Sequence, residues 1–134
     1  RAVEQIPGDV HPVTAAAVSG GAKIAETLGA RLLVIATRGG GTCRLRSKQR
    51  DFVPTIGVSD STNVLRRLAL YWGVRPLFGA WVKGVKGVVD QAEQELLKHG
   101  LVKPGDEIAV TFGMVLDKEA FQTNVLKLHR VKAQ

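Results

Sequence analysis

Several features that mark other protein classes are scarce in this chain of 134 residues. Its single cysteine, Cys43, cannot form an internal disulfide, which favours a reducing compartment such as the cytoplasm. No apolar run approaches the ~20 residues that a membrane-spanning helix needs, so we expect no membrane partner. The first residues carry no signal-peptide pattern. Because the chain begins with Arg1 rather than Met, we expect it to be a fragment or a processed product.

Aromatic residues are also few, at 5% of the chain, although the net charge is +7. A basic balance suits nucleic acid, an anionic membrane or phosphorylated small molecules. Single-stranded nucleic acid would need an aromatic stacking platform, and no aromatic ladder interleaves with the basic residues. We therefore expect no nucleic-acid partner. The densest basic cluster follows a glycine run and consists of Arg38, Arg44, Arg46, Lys48 and Arg50.

Helical and strand patterns alternate along the chain, which predicts a single α/β domain over residues 1–134. Apolar residues at helical spacing predict helices, of which the third ends in an apolar stripe that includes Trp72. Short apolar or alternating runs predict strands. In the last of them Leu126 and Leu128 alternate with Lys127 and His129, so we expect Lys127 and His129 to face solvent and the strand to lie at an edge. The predicted helices are 14–28, 44–50, 61–72 and 85–96, and the predicted strands are 31–37, 54–59, 74–77, 107–112 and 124–131.

The segment that most suggests a binding site is the glycine loop, residues 37–42. It lies between a predicted buried strand and the predicted helix 44–50, which we call the basic helix. Backbone N–H groups and the positive end of a helix would point at its occupant, and glycines let the backbone approach an anion. It is neither a Walker A loop nor a G-x-G-x-x-G loop. Its composition therefore leaves two interpretations open, a phosphate site or a tight turn.

The order of motifs resembles the C-terminal domain of pyruvate kinases over nearly the whole chain. Members of that family typically carry a Thr-x-Ser-Gly-x-Ser/Thr effector loop, an Arg-Tyr-Arg-Pro-like segment and a Pro-Ile strand, matched here without gaps by residues 37–42, 47–50 and 54–56. Residues 70–76 are similar to the Leu-x-x-Gly-Val-x-Pro motif of the family. Gly105-Asp106 and Thr123-Asn124 match its later Gly-Asp and Thr-Asn pairs.

The resemblance implies a three-layer α/β sandwich: a mixed five-stranded sheet, mostly parallel, with an antiparallel last strand at an edge and helices on both faces. It implies a site for a phosphorylated small-molecule effector and a homo-oligomer contact through the edge strand. Val88 aligns with the arginine that holds a second phosphate in some members, so a monophosphate of a sugar or a nucleoside fits better than a bisphosphate. Gly39 stands where many members have serine. The implied effector-binding residues are Thr37, Arg38, Gly39, Gly40, Gly41, Thr42 and Trp81.

The catalytic machinery of the family lies in a separate barrel domain with its Mg²⁺ and K⁺ sites. This sequence has no paired-carboxylate cluster, no metal-ligand spacing and no nucleophile beside a histidine, so we expect no catalytic residue and no cofactor in it. Two hypotheses remain. The chain is the regulatory domain of a pyruvate kinase, joined to that barrel, or a stand-alone relative that binds a phosphorylated metabolite or nucleotide. A barrel domain encoded in frame before Arg1 would decide for the first.

Other residues that could carry chemistry also have structural interpretations. Cys43 is either an inert residue at a helix start or a thiol activated by the glycine loop. Trp72 suits core packing, and Trp81 suits either the core or a ligand site after a strand. The basic helix has three interpretations: its charges face solvent, they contact a barrel domain, or they attract an anion to the glycine loop. His11, His99 and His129 lie in different elements, which argues against a shared metal site.

Overall fold

The computed structural model describes residues 12–36, 43, 46, 53–79, 84–112 and 125–132. Within these residues the chain forms three helices and five strands, and Cys43 and Arg46 are also helical. The elements are α1 (Pro12–Leu28), β1 (Leu32–Ala36), β2 (Thr55–Ser59), α2 (Thr62–Leu68), β3 (Val74–Phe78), α3 (Gly84–Lys98), β4 (Glu107–Phe112) and β5 (Val125–Arg130).

Local sequence signals explain where the helices begin and end. Helix α1 buries Val18, Ala22 and Ala25, which recur on one side at helical spacing. It is followed by Gly29, whose φ of 68° lies in the left-handed region that favours glycine after a helix. Helix α2 is capped by Ser61, whose hydroxyl accepts a hydrogen bond from the Val64 amide at 3.4 Å.

The five strands form one sheet in the order β3-β2-β1-β4-β5. Strand β1 pairs in parallel with both β2 and β4, and β2 pairs in parallel with β3. Strand β5 pairs antiparallel with β4, from Glu107 opposite Arg130 to Phe112 opposite Val125. The predicted mixed sheet with an antiparallel edge strand is confirmed.

Helices cover both faces of this sheet. Leu33 and Ile35 of β1 face α1 and α2, and the alternate residues face α3, so every side chain of β1 is buried. The α3 face holds the larger apolar cluster, which includes Val34, Ile56 and Phe112. The three predicted layers are confirmed.

Close approach on the α1 face depends on glycine at two positions. A Cβ on Gly21 of α1 would lie 3.2 Å from Leu126 of β5. A Cβ on Gly57 of β2 would lie 2.8 Å from Leu68 and 2.9 Å from the Cys43 sulfur. These positions let α1, α2 and the Cys43 side chain pack directly against the backbone of the sheet.

Two predictions about packing are wrong. Trp72 is 57% exposed rather than part of the core, because α2 ends at Leu68 and the helical stripe does not continue to residue 72. His129 was predicted to face solvent beside Lys127. Lys127 is exposed, but α3 covers His129, whose side chain is 12% exposed and lies against Glu93.

Candidate functional site

The predicted effector-binding residues lie outside the described part of the chain. These residues are Thr37, Arg38, Gly39, Gly40, Gly41, Thr42 and Trp81. The structure does describe Ala36 and Cys43, the residues on either side of the glycine loop. Ala36 is the last residue of β1, so the chain leaves the sheet at the carboxyl end of that strand.

The carboxyl ends of four strands meet at this edge of the sheet. Strands β1, β2, β3 and β4 run in parallel, so their last residues, Ala36, Ser59, Phe78 and Phe112, share one edge. In open α/β sheets, ligands bind outside the carboxyl ends of the strands. Strand β1, which directly precedes the glycine loop in the sequence, thus ends at the edge where open α/β sheets bind their ligands.

A shallow cleft, open to solvent, lies at this edge between the sheet and α3. Side chains of β1, β2 and α3 form its walls, together with residues that follow β2 and β3. The lining residues are Val34, Ala36, Val58, Ser59, Asp60, Gly79, Val88, Gln91, Ala92 and Glu95.

The cleft combines an apolar floor with a few polar groups. Val88 is 9% exposed and belongs to the apolar cluster beneath the cleft. Asp60 is exposed and follows the last residue of β2, and Gln91 and Glu95 contribute from α3. Ser59 is buried, and its hydroxyl accepts a hydrogen bond from the Ser61 amide at 3.2 Å. The two carboxylates give the described lining a negative charge.

Sequence reasoning missed most of these cleft residues. Asp60 stands just before the third predicted helix, where its residue type suits a helix cap, and Gln91 and Glu95 were not singled out. The signal for Asp60 was present, because a polar residue directly after a buried parallel strand stands at the edge where ligands bind. Gln91 and Glu95 required the packing of α3 over β1 and β2, which periodicity alone does not specify.

Arg46, the one described residue of the basic helix, does not serve as a surface charge. It is 3% exposed, and its guanidinium donates hydrogen bonds to Thr55 Oγ1 and the Val53 carbonyl, both at 3.0 Å. Thr55 begins β2 and Ser59 ends it, which separates the two by roughly 13 Å along the strand. Arg46 therefore stabilises the amino end of β2, away from the cleft.

Cys43 is buried between the sheet and α2. Burial raises the pKa of its thiol to about 12, because the thiolate would lose its hydration. The thiol is protonated near neutral pH and is a poor nucleophile. Its position favours the structural interpretation of Cys43 over the reactive one.

A buried carboxylate joins α3 to the edge strand. Glu93 is 6% exposed, and its Oε2 lies 3.1 Å from Nε2 of His129 in β5. Its Oε1 accepts a hydrogen bond from the Lys132 amide. Glu93 is next to Ala92 of the cleft, so one helix forms a wall of the cleft and also contacts the edge strand.

The described ranges lack both a metal-binding cluster and a membrane-spanning helix. Within residues 12–36, 43, 46, 53–79, 84–112 and 125–132, no three His, Cys, Asp or Glu side chains are grouped to hold a metal ion. Over those ranges, no helix has both the length and the apolar content to cross a membrane.

Known proteins similar to this chain are pyruvate kinases. The family model described as "Pyruvate kinase, alpha/beta domain" matches residues 15–129. The pyruvate kinase of Sporosarcina psychrophila is 31% identical over 78% of this chain and 18% of its own length. That of Clostridium acetobutylicum is 32% identical over 81% of this chain and 23% of its own length. That of Staphylococcus aureus is 33% identical over 82% of this chain and 19% of its own length.

Solved structures agree on the fold. A crystal structure of a Cryptosporidium parvum pyruvate kinase superposes with a TM-score of 0.77 at 24% identity, over 94% of this chain and 24% of the other. The enzyme of that organism in complex with ADP gives a TM-score of 0.78 at 24% identity, over 94% of this chain and 25% of the other. The chain thus spans about a fifth to a quarter of the length of the relatives that it matches. On the matched residues and the shared fold, the chain belongs to the pyruvate kinase alpha/beta domain family.

Proposed function

We propose that this chain is the regulatory C-terminal domain of a cytoplasmic pyruvate kinase, and that it binds a phosphorylated small-molecule effector at the glycine loop. The observation that supports the proposal is that β1, which directly precedes this loop in the sequence, ends at the edge where the carboxyl ends of four parallel strands meet. Loop backbone N–H groups would hold the phosphate, and Thr37, Arg38 and Thr42 would add hydroxyl donors and charge.

The cleft beside this edge supports an effector with a single phosphate. Val88, which aligns with an arginine that holds a second phosphate in some members of the family, is apolar and lines the cleft. Asp60 and Glu95 also line it, and their carboxylates would repel a second phosphate there. The phosphate of a monophosphate would bind at the glycine loop, and the uncharged part of the same ligand would lie in the cleft.

Catalysis would belong to the rest of the parent enzyme. Phosphoryl transfer needs metal ions and charged residues arranged around the transferred group. We expect the Mg²⁺ and K⁺ of a pyruvate kinase to be held by its barrel domain, outside this chain. The purified chain should therefore not convert phosphoenolpyruvate and ADP to pyruvate and ATP above a mock preparation.

Self-association is the second part of the proposal. Leu128 of β5 is 43% exposed, and Ile24 and Leu28 of α1 are 38% and 53% exposed. Gly21, one turn before Ile24, lies over Leu126 of β5, so these apolar side chains are on the β5 side of α1. We call Ile24, Leu28 and Leu128 the edge patch.

The two edges of the sheet differ in what they offer a second strand. Pro76 lies in the edge strand β3, and proline has no N–H to donate to an added strand. Strand β5 contains no proline and contributes Leu128 to the edge patch, on the side of the strand that faces α1. A two-fold contact through β5 would extend the sheet across two copies.

The test of effector binding compares two forms of the chain by titration calorimetry. Ribose 5-phosphate, glucose 6-phosphate and adenosine 5′-monophosphate are titrated, and the tightest is carried forward. The double variant Arg38→Ala, Thr42→Ala should bind it about 2–4 kcal/mol more weakly, the scale of lost charge-assisted hydrogen bonds. The control Lys23→Ala removes a cation from exposed α1 surface and should leave affinity unchanged. Equal affinity in the double variant would leave the glycine loop as an ordinary turn.

A further inference from the structure

The edge strand β5 is attached to the sheet on one side only. It lies at the end of the strand order and pairs with β4 alone. Gly21 of α1 lies over Leu126, which places that residue on the α1 side of the strand. Lys127 and His129 alternate with it, so they lie on the side that faces α3. Contacts with α3 therefore help to determine how firmly β5 is held.

A carboxylate and an imidazole meet between α3 and β5. Oε2 of Glu93 lies 3.1 Å from Nε2 of His129, and the two side chains are 8% and 12% exposed. The other oxygen of Glu93 accepts a hydrogen bond from the Lys132 amide. Because water has little access to this contact, the charge on His129 determines whether the carboxylate has an opposite charge beside it.

The other charged groups around this contact already have partners or face solvent. Lys86 and Lys132 both contact Asp90, with Nζ at 2.7 Å and 3.7 Å from its carboxylate. The pKa of Asp90 lies below its ordinary value, first because Lys86 donates this hydrogen bond, so Asp90 is ionised at neutral pH. Lys127 is exposed, where water and salt screen its charge.

His129 is therefore the group that can neutralise Glu93. On β4 the residue opposite His129 is Ile108, which is apolar. Among the described residues, His129 is the only side chain in hydrogen-bond contact with the Glu93 carboxylate that can carry a positive charge.

The direction of the pH effect follows from this geometry. Histidine gains or loses its proton between about pH 5 and 8, and a charge-assisted hydrogen bond is roughly twice as strong as a neutral one. Burial of His129 opposes its protonation, but a neutral His129 would leave the more deeply buried Glu93 carboxylate without an opposite charge. The unfolded chain has no fixed pair of this kind. The contact therefore stabilises the fold on the acid side of this range and contributes less as the pH rises through it.

We propose that Glu93 and His129 form a proton-dependent latch between α3 and the edge strand β5. With His129 protonated, the ion pair and the hydrogen bond from the Lys132 amide hold the end of β5 against the helix. With His129 neutral, the latch is weaker and the end of β5 separates more readily from the domain.

The test is a double-mutant cycle on the full chain. Urea unfolding is measured for the native sequence, Glu93→Gln, His129→Gln and the double variant, at about pH 6 and about pH 8. The cycle isolates the interaction between the two side chains from the titration of other groups. That interaction should change the unfolding equilibrium constant by at least about fivefold at the lower pH and by less than about twofold at the higher. An interaction of equal size at the two pH values, or none at the lower, would overturn the proposal.

A matched control is the other described histidine. His99 follows α3, and its side chain is 38% exposed. His99→Gln should change the ratio of the unfolding constants at the two pH values by less than about twofold, whereas His129→Gln should change it by more. An equal effect of the two replacements would show that the pH dependence is not specific to the latch.

A second measurement needs no variant and so does not depend on any variant being folded. In an NMR pH titration of the native chain, the Lys132 amide should shift together with the His129 ring, because Glu93 contacts both. A Lys132 amide whose shift stays constant while the His129 ring titrates would contradict the latch.

Discussion

Glu93 of α3 lies against His129 of β5, with 3.1 Å between Oε2 and Nε2. The same carboxylate accepts a hydrogen bond from the Lys132 amide, so one buried side chain fixes the end of the edge strand to the helix that lines the cleft. Because Glu93 is only 6% exposed, water cannot readily replace these partners.

Removing this carboxylate should destabilise the fold. We expect Glu93→Ala to lower the free energy of unfolding by about 1.5–3 kcal/mol, since it deletes a charged acceptor and leaves the Lys132 amide without its partner. Glu93→Gln should cost less, because its side-chain oxygen can still accept from that amide. Urea unfolding measures both. Gln94→Ala, on the exposed side of the same helix, is the control and should change stability by less than about 0.5 kcal/mol. A cost no larger than that of the control would mean that the Glu93 contacts contribute nothing.

Two glycine-to-alanine changes should act in opposite directions. Gly57→Ala should destabilise the protein by about 1–3 kcal/mol, because the new Cβ would lie 2.8 Å from Leu68 and 2.9 Å from the Cys43 sulfur. Gly20→Ala should stabilise it by roughly 0.5–1 kcal/mol, because the site is open and alanine favours the helix. Thermal or urea unfolding measures both, and two changes of the same sign would contradict the packing described around β2.

Cys43 should be unreactive while the protein is folded. An aromatic disulfide reagent at about pH 8 should modify it at least roughly 100-fold more slowly in native protein than in urea-unfolded protein, because the thiol is buried and protonated. The folded pKa of about 12 lies above the ordinary thiol pKa of 9.0. Its stabilising contribution is therefore complete below about pH 9 and is lost as pH rises towards 12.

The pH dependence of stability is tested by comparing the native sequence with a variant that lacks the thiol. Unfolding free energies of the native sequence and of Cys43→Ala should converge as pH rises above about 9, since only the native sequence loses the thiol contribution. Parallel pH profiles would show that the thiol does not titrate with folding.

Self-association should depend on the edge patch. We expect the chain to be a weak dimer in equilibrium with monomer, because one strand pair is a small interface. Leu128→Lys should weaken dimerisation about tenfold by placing a charge in the contact. Leu70→Lys makes the same change at a residue that is 84% exposed and outside the edge patch, and should have no effect. Sedimentation at several concentrations measures the dimerisation constant. A strictly monomeric chain at millimolar concentration would mean that assembly does not use the edge patch.

The sequence specified the layers of the fold because its patterns are local and strong. The apolar run at β1 predicted a buried parallel strand, and all five of its side chains are buried. Glycine after α1 and serine before α2 marked helix ends, since each meets a backbone requirement that few residues satisfy.

Predictions that depended on contacts between residues far apart in the sequence were less accurate. Trp72 was assigned to a helical stripe, but α2 ends before it. His129 was assigned to solvent because strand alternation does not reveal that Glu93 of α3 will cover it. A basic helix does not reveal that Arg46 turns inward to Thr55. The glycine loop was identified from its composition and its place after a buried strand, the resemblance favoured an effector site there, and its role as a phosphate site stays a prediction.

Backbone amide NMR during titration with inorganic phosphate tests the central claim most directly. Phosphate alone probes the glycine loop without any contribution from the cleft. The account predicts saturable shifts that are largest at residues 37–42, with smaller changes at Ala36 and Cys43 on either side. Shifts that are largest far from this loop, at Lys118 in the sequence after β4 or at His129 of β5, would contradict it, as would shifts that do not saturate.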